Sequence, residues 1–272
     1  MNRKEKILKH IDATGKGLEI GPGYNPTAPK KDGFSVQSID HMCREDLVNK
    51  YKKEQVDTEN IEEVDFVWHG EPYAELTGKK DYYDWIIASH LIEHTPDLIG
   101  FLNDCDSILK DTGVISLAIP DKRYCFDHFR PATSIARIID SHLQNSRVHT
   151  PGTAAEYYLN GVLKEGAIAW EEGHAGEYSF RHSLEEAVGK FESAVKGTEY
   201  DDIHSWCFVP HSFRLIIHDL YCLGLIPFKE LDFYLTEGCE FFAILSRQGN
   251  GIGISRLEML KIIESEVAAG SR

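Results

Sequence analysis

Apolar positions along the chain switch between two periods. Short runs that alternate apolar and polar residues, or are apolar almost throughout, are interleaved with stretches whose apolar residues recur every three or four positions. The first pattern reads as strands and the second as helices. The strand runs are Gly17–Ile20, Phe34–Ile39, Val64–Trp68, Asp84–Ser89 and Val114–Ile119. The fourth is nearly all apolar, which suits a strand covered on both faces. Among them, Ile7, Leu8 and Ile11 predict a leading helix over 3–12, and Glu45 to Lys53 a charged helix. Leu98, Phe101, Leu102, Cys105, Ile108 and Leu109 predict an amphipathic helix begun near Thr95-Pro96. This alternation predicts an α/β fold.

The regularity breaks at Asp121. Helical patterns over Ser134–Leu143, Thr153–Leu163 and Leu184–Val195 are joined there by polar, glycine-containing loops. It resumes with a helix over Phe213–Leu223 that ends at Gly224, then strands Phe228–Leu235 and Glu240–Ser246 around a Thr236–Cys239 turn. Ser255 and Glu258 form a capping-box pattern before a final helix carrying Leu257, Leu260 and Ile263. That helix is expected to dock on the body or to pair with a second copy in a homodimer. The predicted division is a core of residues 1–120 and 208–248, an inserted lid or substrate-binding segment at 121–207, and a C-terminal helix at 249–272.

The first strand runs into Gly21-Pro22-Gly23, where glycines permit torsions and close approaches that a side chain blocks. The third glycine of a dinucleotide fingerprint falls on Pro26 instead, which argues against a nicotinamide cofactor. Taken alone, G-x-G is only a turn. Glu19 two residues before it, and Asp40 closing the second strand, make the set E-x-G-x-G plus Asp, which resembles the class I S-adenosylmethionine-dependent methyltransferases. The run from Tyr83 through Pro120, with its Glu93-His94 pair, resembles the same family. The resemblance implies a Rossmann-like, seven-stranded, mostly parallel sheet with an antiparallel last strand and a mainly helical insertion after strand five. It also implies S-adenosyl-L-methionine as cofactor, with Glu19 near its amino acid part and Asp40 on its ribose. Gly21 and Gly23 would lie beneath it, Asp65, Val67 and Trp68 beside the adenine, and Ser89 and His90 at the end of strand four. One departure is plain: Tyr24 to Gly33, with Pro26 and Pro29, leaves no room for the helix that normally follows the glycine turn.

The formal charge of −15, from 29 basic and 44 acidic residues, repels polyanions and argues against a nucleic acid partner. The N-terminus is charged and no apolar run is long enough to span a membrane, so a cytoplasmic location is expected. Six cysteines without a C-x-x-C pair read as free thiols.

Methylation of a hydroxyl needs a base, and His90 and His94 follow strand four, at the edge where open α/β sheets bind ligands. The Glu93-His94 pair equally suits a helix cap or a cofactor wall. Asp121 and His128 compete as the base. Lys122, Arg123 and Arg130, with Tyr124, form a basic island that suits a carboxylate or phosphate, or that merely pairs with surface acids. His204 and Trp206 add polar and aromatic surface for substrate, or simply the lid's own small core. Seven histidines (His128, His142, His149, His174, His182, His204, His211), with Asp121, Asp127, Glu171 and Glu172, lie in or near the insertion; none has metal-ligand spacing, so no metal is assigned. The run Pro120–Arg130 resembles bacterial methyltransferases associated with cell-surface glycan assembly, which implies O-methylation of a sugar hydroxyl or similar small polar acceptor. N- or carboxyl-methylation, and S-adenosylmethionine binding without catalysis, are the alternatives.

Overall fold

A computed structural model of the chain describes residues 1–197 and 201–270. Seven strands build one sheet: β1 (Gly17–Ile20), β2 (Val36–Asp40), β3 (Phe66–Val67), β4 (Tyr83–Ser89), β5 (Leu109–Pro120), and, late in the chain, β8 (Lys229–Glu237) and β9 (Glu240–Ser246). Their order is β3-β2-β1-β4-β5-β9-β8. The first five run parallel, and β9 lies antiparallel between β5 and β8. The expected Rossmann-like sheet with an antiparallel last strand is therefore present.

Side-chain alternation on β4 shows why both faces are filled. Ile86 and Ala88 join Leu18, Ile20 and Ile39 in a layer closed by α4 (Leu98–Ile108) and α8 (Pro210–Cys222). Trp85 and Ile87 face the other way, into a smaller layer with Val114, Phe242, Ile244 and Ile7 of α1 (Arg3–Leu8). That first helix is shorter than expected, yet Leu8 and Ile11 still pack against the smaller layer. An Asn2–Glu5 capping box starts it.

Other boundaries shift for local reasons. The Asp65 carboxylate takes the Ser38 amide at 2.8 Å, a donor that a longer β3 would have paired, so β3 has only two residues. The helix begun near Thr95-Pro96 is capped instead by Asp97, whose carboxylate accepts from the Gly100 amide at 2.9 Å. Strand β5 starts at Leu109 and bulges before Val114, where the register with β4 breaks. No helix follows the glycine turn, as expected; only a short turn at Lys30–Asp32 precedes β2, and α2 (Arg44–Lys53) follows it. A one-turn α3 (Tyr73–Thr77) was not legible in the sequence.

The segment from 121 to 207 carries α5 (Ile135–Leu143), α6 (Pro151–Asn160), a hairpin of β6 (Val162–Lys164) and β7 (Tyr178–Phe180), and α7 (Leu184–Lys196). The hairpin was not expected: the helix predicted over Thr153–Leu163 stops at Asn160, and Val162 and Leu163 lie in β6. The two ends of the segment are tied together, Lys122 N to Phe208 O and Thr133 N to Cys207 O, both at 2.9 Å. The final helix, α9 (Arg256–Gly270), docks on α8 through Met259 and Ile263, while Leu257 and Leu260 face outward.

Candidate active site

The sheet order puts β1 beside β4, and chain connections leave these strands in opposite directions, which is the switch point where open α/β sheets hold ligands. The glycine turn leaves the end of β1 with φ of +66° at Gly21 and +53° at Gly23. A Cβ at Gly21 would come 2.7 Å from Leu91, and one at Gly23 would come 2.8 Å from the Tyr51 hydroxyl. Only glycine keeps this turn and its neighbours in place. Next to it, at the end of β2, the buried Asp40 carboxylate accepts from His41 N at 2.8 Å and, at a long 3.3 Å, from Gly23 N. Val67 and Trp68, half-buried, close this side.

Past β4, Ser89 Oγ accepts from Arg3 at 2.7 Å, and Glu240 joins Arg3 (2.6 Å) to His90 (2.8 Å). His90 itself has φ of +50°, unusual for a residue with a side chain. A tight turn over Ile92–His94 follows, in which Glu93 is fully buried and neither carboxylate oxygen has a hydrogen-bond partner among the described residues.

Across from this turn runs Asp201–Phe208, hydrogen-bonded to it through the main chain: Ser205 N and Trp206 N both donate to Glu93 O, at 2.6 and 3.3 Å. Those bonds bring His204 to His94, edge to face, with ring centroids 4.5 Å apart. One oxygen of Glu93 and one nitrogen from each histidine lie within 4.8 Å of one another. Each histidine is braced from behind, His94 Nδ1 by Asp202 at 2.9 Å and His204 Nδ1 by Asp127 at 2.5 Å. Burial works against a charged His94, but the Asp202 and Glu93 carboxylates outweigh it and raise its pKa. Burial prevails at His204, whose pKa is lowered despite Asp127. Two adjacent imidazoles are thus driven apart in basicity, an arrangement suited to moving protons.

A model of the methyltransferase domain family matches residues 2–162. The chain belongs to this methyltransferase family. That membership bears out the class I resemblance, the reading of the chain as an enzyme and S-adenosylmethionine as its cofactor. The residues at the edge fit that molecule, since Asp40 offers carboxylate lone pairs beside a turn that a Cβ would fill. The methyltransferase is also similar to three solved structures described as S-adenosylmethionine-dependent methyltransferases. One is from Bacteroides fragilis, in complex with S-adenosyl-L-homocysteine, at 14% identity over 90% of this chain and 77% of that one, TM-score 0.42. Another is from Methanosarcina mazei, at 11% identity over 90% and 97%, TM-score 0.44. The third, from Aquifex aeolicus, shares 19% identity over 44% of this chain and 65% of that one, TM-score 0.32, so the methyltransferase spans under two thirds of its length. No curated protein matches the sequence.

Several residues expected in the site of the methyltransferase are placed elsewhere. Both Glu19 oxygens are taken by loop amides, Thr27 N at 2.7 Å and Ala28 N at 3.1 Å, and burial raises its pKa; it anchors the loop after the turn. Asp65 sits at the amino end of β3, where it binds Ser38 and Lys30 rather than facing the ligand edge. Asp121, fully buried, is paired with Arg123 (2.5 Å) and Thr236 (2.6 Å), which removes it as a base and Arg123 as a free cation. The Arg123 guanidinium lies over the Tyr124 ring, 5.1 Å from its centroid. Arg130 is buried on Asp127 (2.7 Å), Glu156 (3.1 Å) and His204 O (2.9 Å), and Lys122 donates to His128 O at 2.6 Å. The basic island therefore holds the segment together instead of facing substrate. His128 is engaged at both nitrogens, by Arg123 O and the Tyr178 hydroxyl, and Trp206 is buried beneath Arg137.

Sequence reasoning did not foresee Arg3, Glu240, Asp202 or the shared surroundings of Glu93, His94 and His204. Nothing in their spacing signals a meeting: tertiary contacts make it.

Proposed function

We propose that this methyltransferase carries a methyl group from S-adenosylmethionine to a hydroxyl of a sugar or similar small polar acceptor, in the cytoplasm and in the service of glycan assembly. The observation that supports a hydroxyl acceptor is the cluster of His94, Glu93 and His204 at the end of β4. An alcohol is a weak nucleophile that gives up its proton as it attacks, whereas an amine or carboxylate needs little such help.

Bound S-adenosylmethionine supplies an electrophilic methyl group. Asp40 would accept the ribose hydroxyls, Gly21 and Gly23 would let the backbone approach, and Val67 and Trp68 would flank the adenine. The segment from 121 to 207 acts as a lid that excludes water and orients the acceptor. As the acceptor oxygen bonds to the methyl carbon and the carbon–sulfur pair stays on sulfur, the hydroxyl proton passes to His94. Asp202 holds the opposite nitrogen of that ring and stabilises the imidazolium.

The test is an acceptor panel of nucleotide sugars, free hexoses, amines and carboxylic acids with methyl-labelled cofactor. Label on a sugar oxygen, and a fall of about 10²–10⁴-fold in His94→Ala, is expected. Label found only on amines or carboxylates, or an undiminished His94→Ala rate, would sink the reading.

A further inference from the structure

Glu93 is a fully buried carboxylate with no hydrogen bond to either oxygen among the described residues. Its nearest ion-pair contact, His90 Nδ1, is 3.6 Å away, beyond hydrogen-bond reach. A carboxylate in such a place calls for a cation. The two imidazoles beside it share a feature of metal-ligating histidines, one ring nitrogen held by a carboxylate, Asp202 or Asp127. Asp127 is in turn fixed by Arg130, so the His204 ring is held in both orientation and tautomer.

We infer that Glu93, His94 and His204 bind a divalent transition-metal ion on which the acceptor hydroxyl is seated. Ligand bonds of about 2.0–2.2 Å put neighbouring ligand atoms roughly 3–4 Å apart, so donors that lie within 4.8 Å of one another need to close by at most about 1–2 Å. Two nitrogens and one oxygen suit zinc, cobalt or manganese better than magnesium or calcium, and three protein ligands leave positions open for a substrate. The seating of the hydroxyl rests on the function proposed above; the ion does not. With the ion bound, His94 serves as a ligand, and the ion takes over the part of making the hydroxyl easier to ionise, its proton leaving to water.

The experiment is titration of the full chain, stripped with a chelator and dialysed, with Co²⁺ alone, followed by calorimetry and by the visible absorption of the bound ion. One equivalent per chain is expected, with visible bands of nitrogen and oxygen ligation. Affinity should drop on the order of a hundredfold in both Glu93→Gln and His204→Asn, while His174→Ala, an exposed histidine of the same segment, binds as the wild type does. Circular dichroism identifies a variant that fails to fold, and metal analysis of the wild-type chain as purified from cells gives a readout free of any substitution. No saturable equivalent in the wild type, or equal affinity in folded Glu93→Gln and His204→Asn, would overturn the site. An ion bound at one equivalent in a chain that methylates no hydroxyl would uphold the site and remove the proposed function.

Discussion

The amide of Ser205 donates to the carbonyl of Glu93 at 2.6 Å, and that bond joins the end of the 121–207 segment to the turn after β4. It is the shorter of two main-chain bonds to that carbonyl that hold His204 beside His94. A Ser205→Pro variant removes the donor. Since small misplacements at a reacting centre are amplified in rate, its turnover is expected to fall by roughly 10²-fold. Affinity for S-adenosylhomocysteine, which the proposed function assigns to the glycine turn and Asp40, should change little. Single-turnover rates and calorimetry read the two effects separately; a loss confined to cofactor affinity contradicts this division.

Asp40 and Glu19 are two buried carboxylates flanking one turn, and they are expected to fail differently. Asp40→Ala should weaken S-adenosylhomocysteine binding by about 1.5–3 kcal/mol, the worth of hydrogen bonds to a charged group. Glu19→Ala leaves the Thr27 and Ala28 amides without their acceptor and should cost about 1–3 kcal/mol of stability for each amide left unpaired. Calorimetric binding and denaturant unfolding of both variants check the contrast.

Asp104 lies on α4, where burial, with a smaller push from Asp97, raises its pKa to about 6. An unfolded chain ionises this group near the ordinary value of 3.8. Below that value both states are protonated and the group is neutral in its effect. As pH rises through the window from 3.8 to about 6, the unfolded state loses its proton first, so the folded state is progressively penalised. Asp104→Asn is therefore expected to raise the melting temperature at neutral pH and to leave it unchanged well below pH 3.8. An equal effect at both would contradict the assignment.

What the sequence made legible was local. Leu18 and Ile20 around Glu19, the two glycines, and Asp40 at the end of the next apolar run are all set by backbone torsion and strand alternation within one βαβ-like unit. Glu19 was placed correctly yet its partner was not, because an acid before a glycine turn reads the same whether it faces a ligand or the loop amides. The basic island misled for a similar reason. Lys122, Arg123 and Arg130 lie close together in sequence, but their acceptors are Asp121, Asp127, Glu156 and main-chain carbonyls, and only the folded chain shows that the three cations are taken. Glu93 and His204 meet through main-chain hydrogen bonds that carry no side-chain signature at all.

The most direct test is a crystal structure of the full chain with S-adenosylhomocysteine. The account predicts ribose hydroxyls on Asp40, the nucleoside against Gly21 and Gly23, and the sulfur turned toward Glu93, His94 and His204. A nucleoside bound away from Asp40, or a sulfur turned from the His94 cluster, would contradict it.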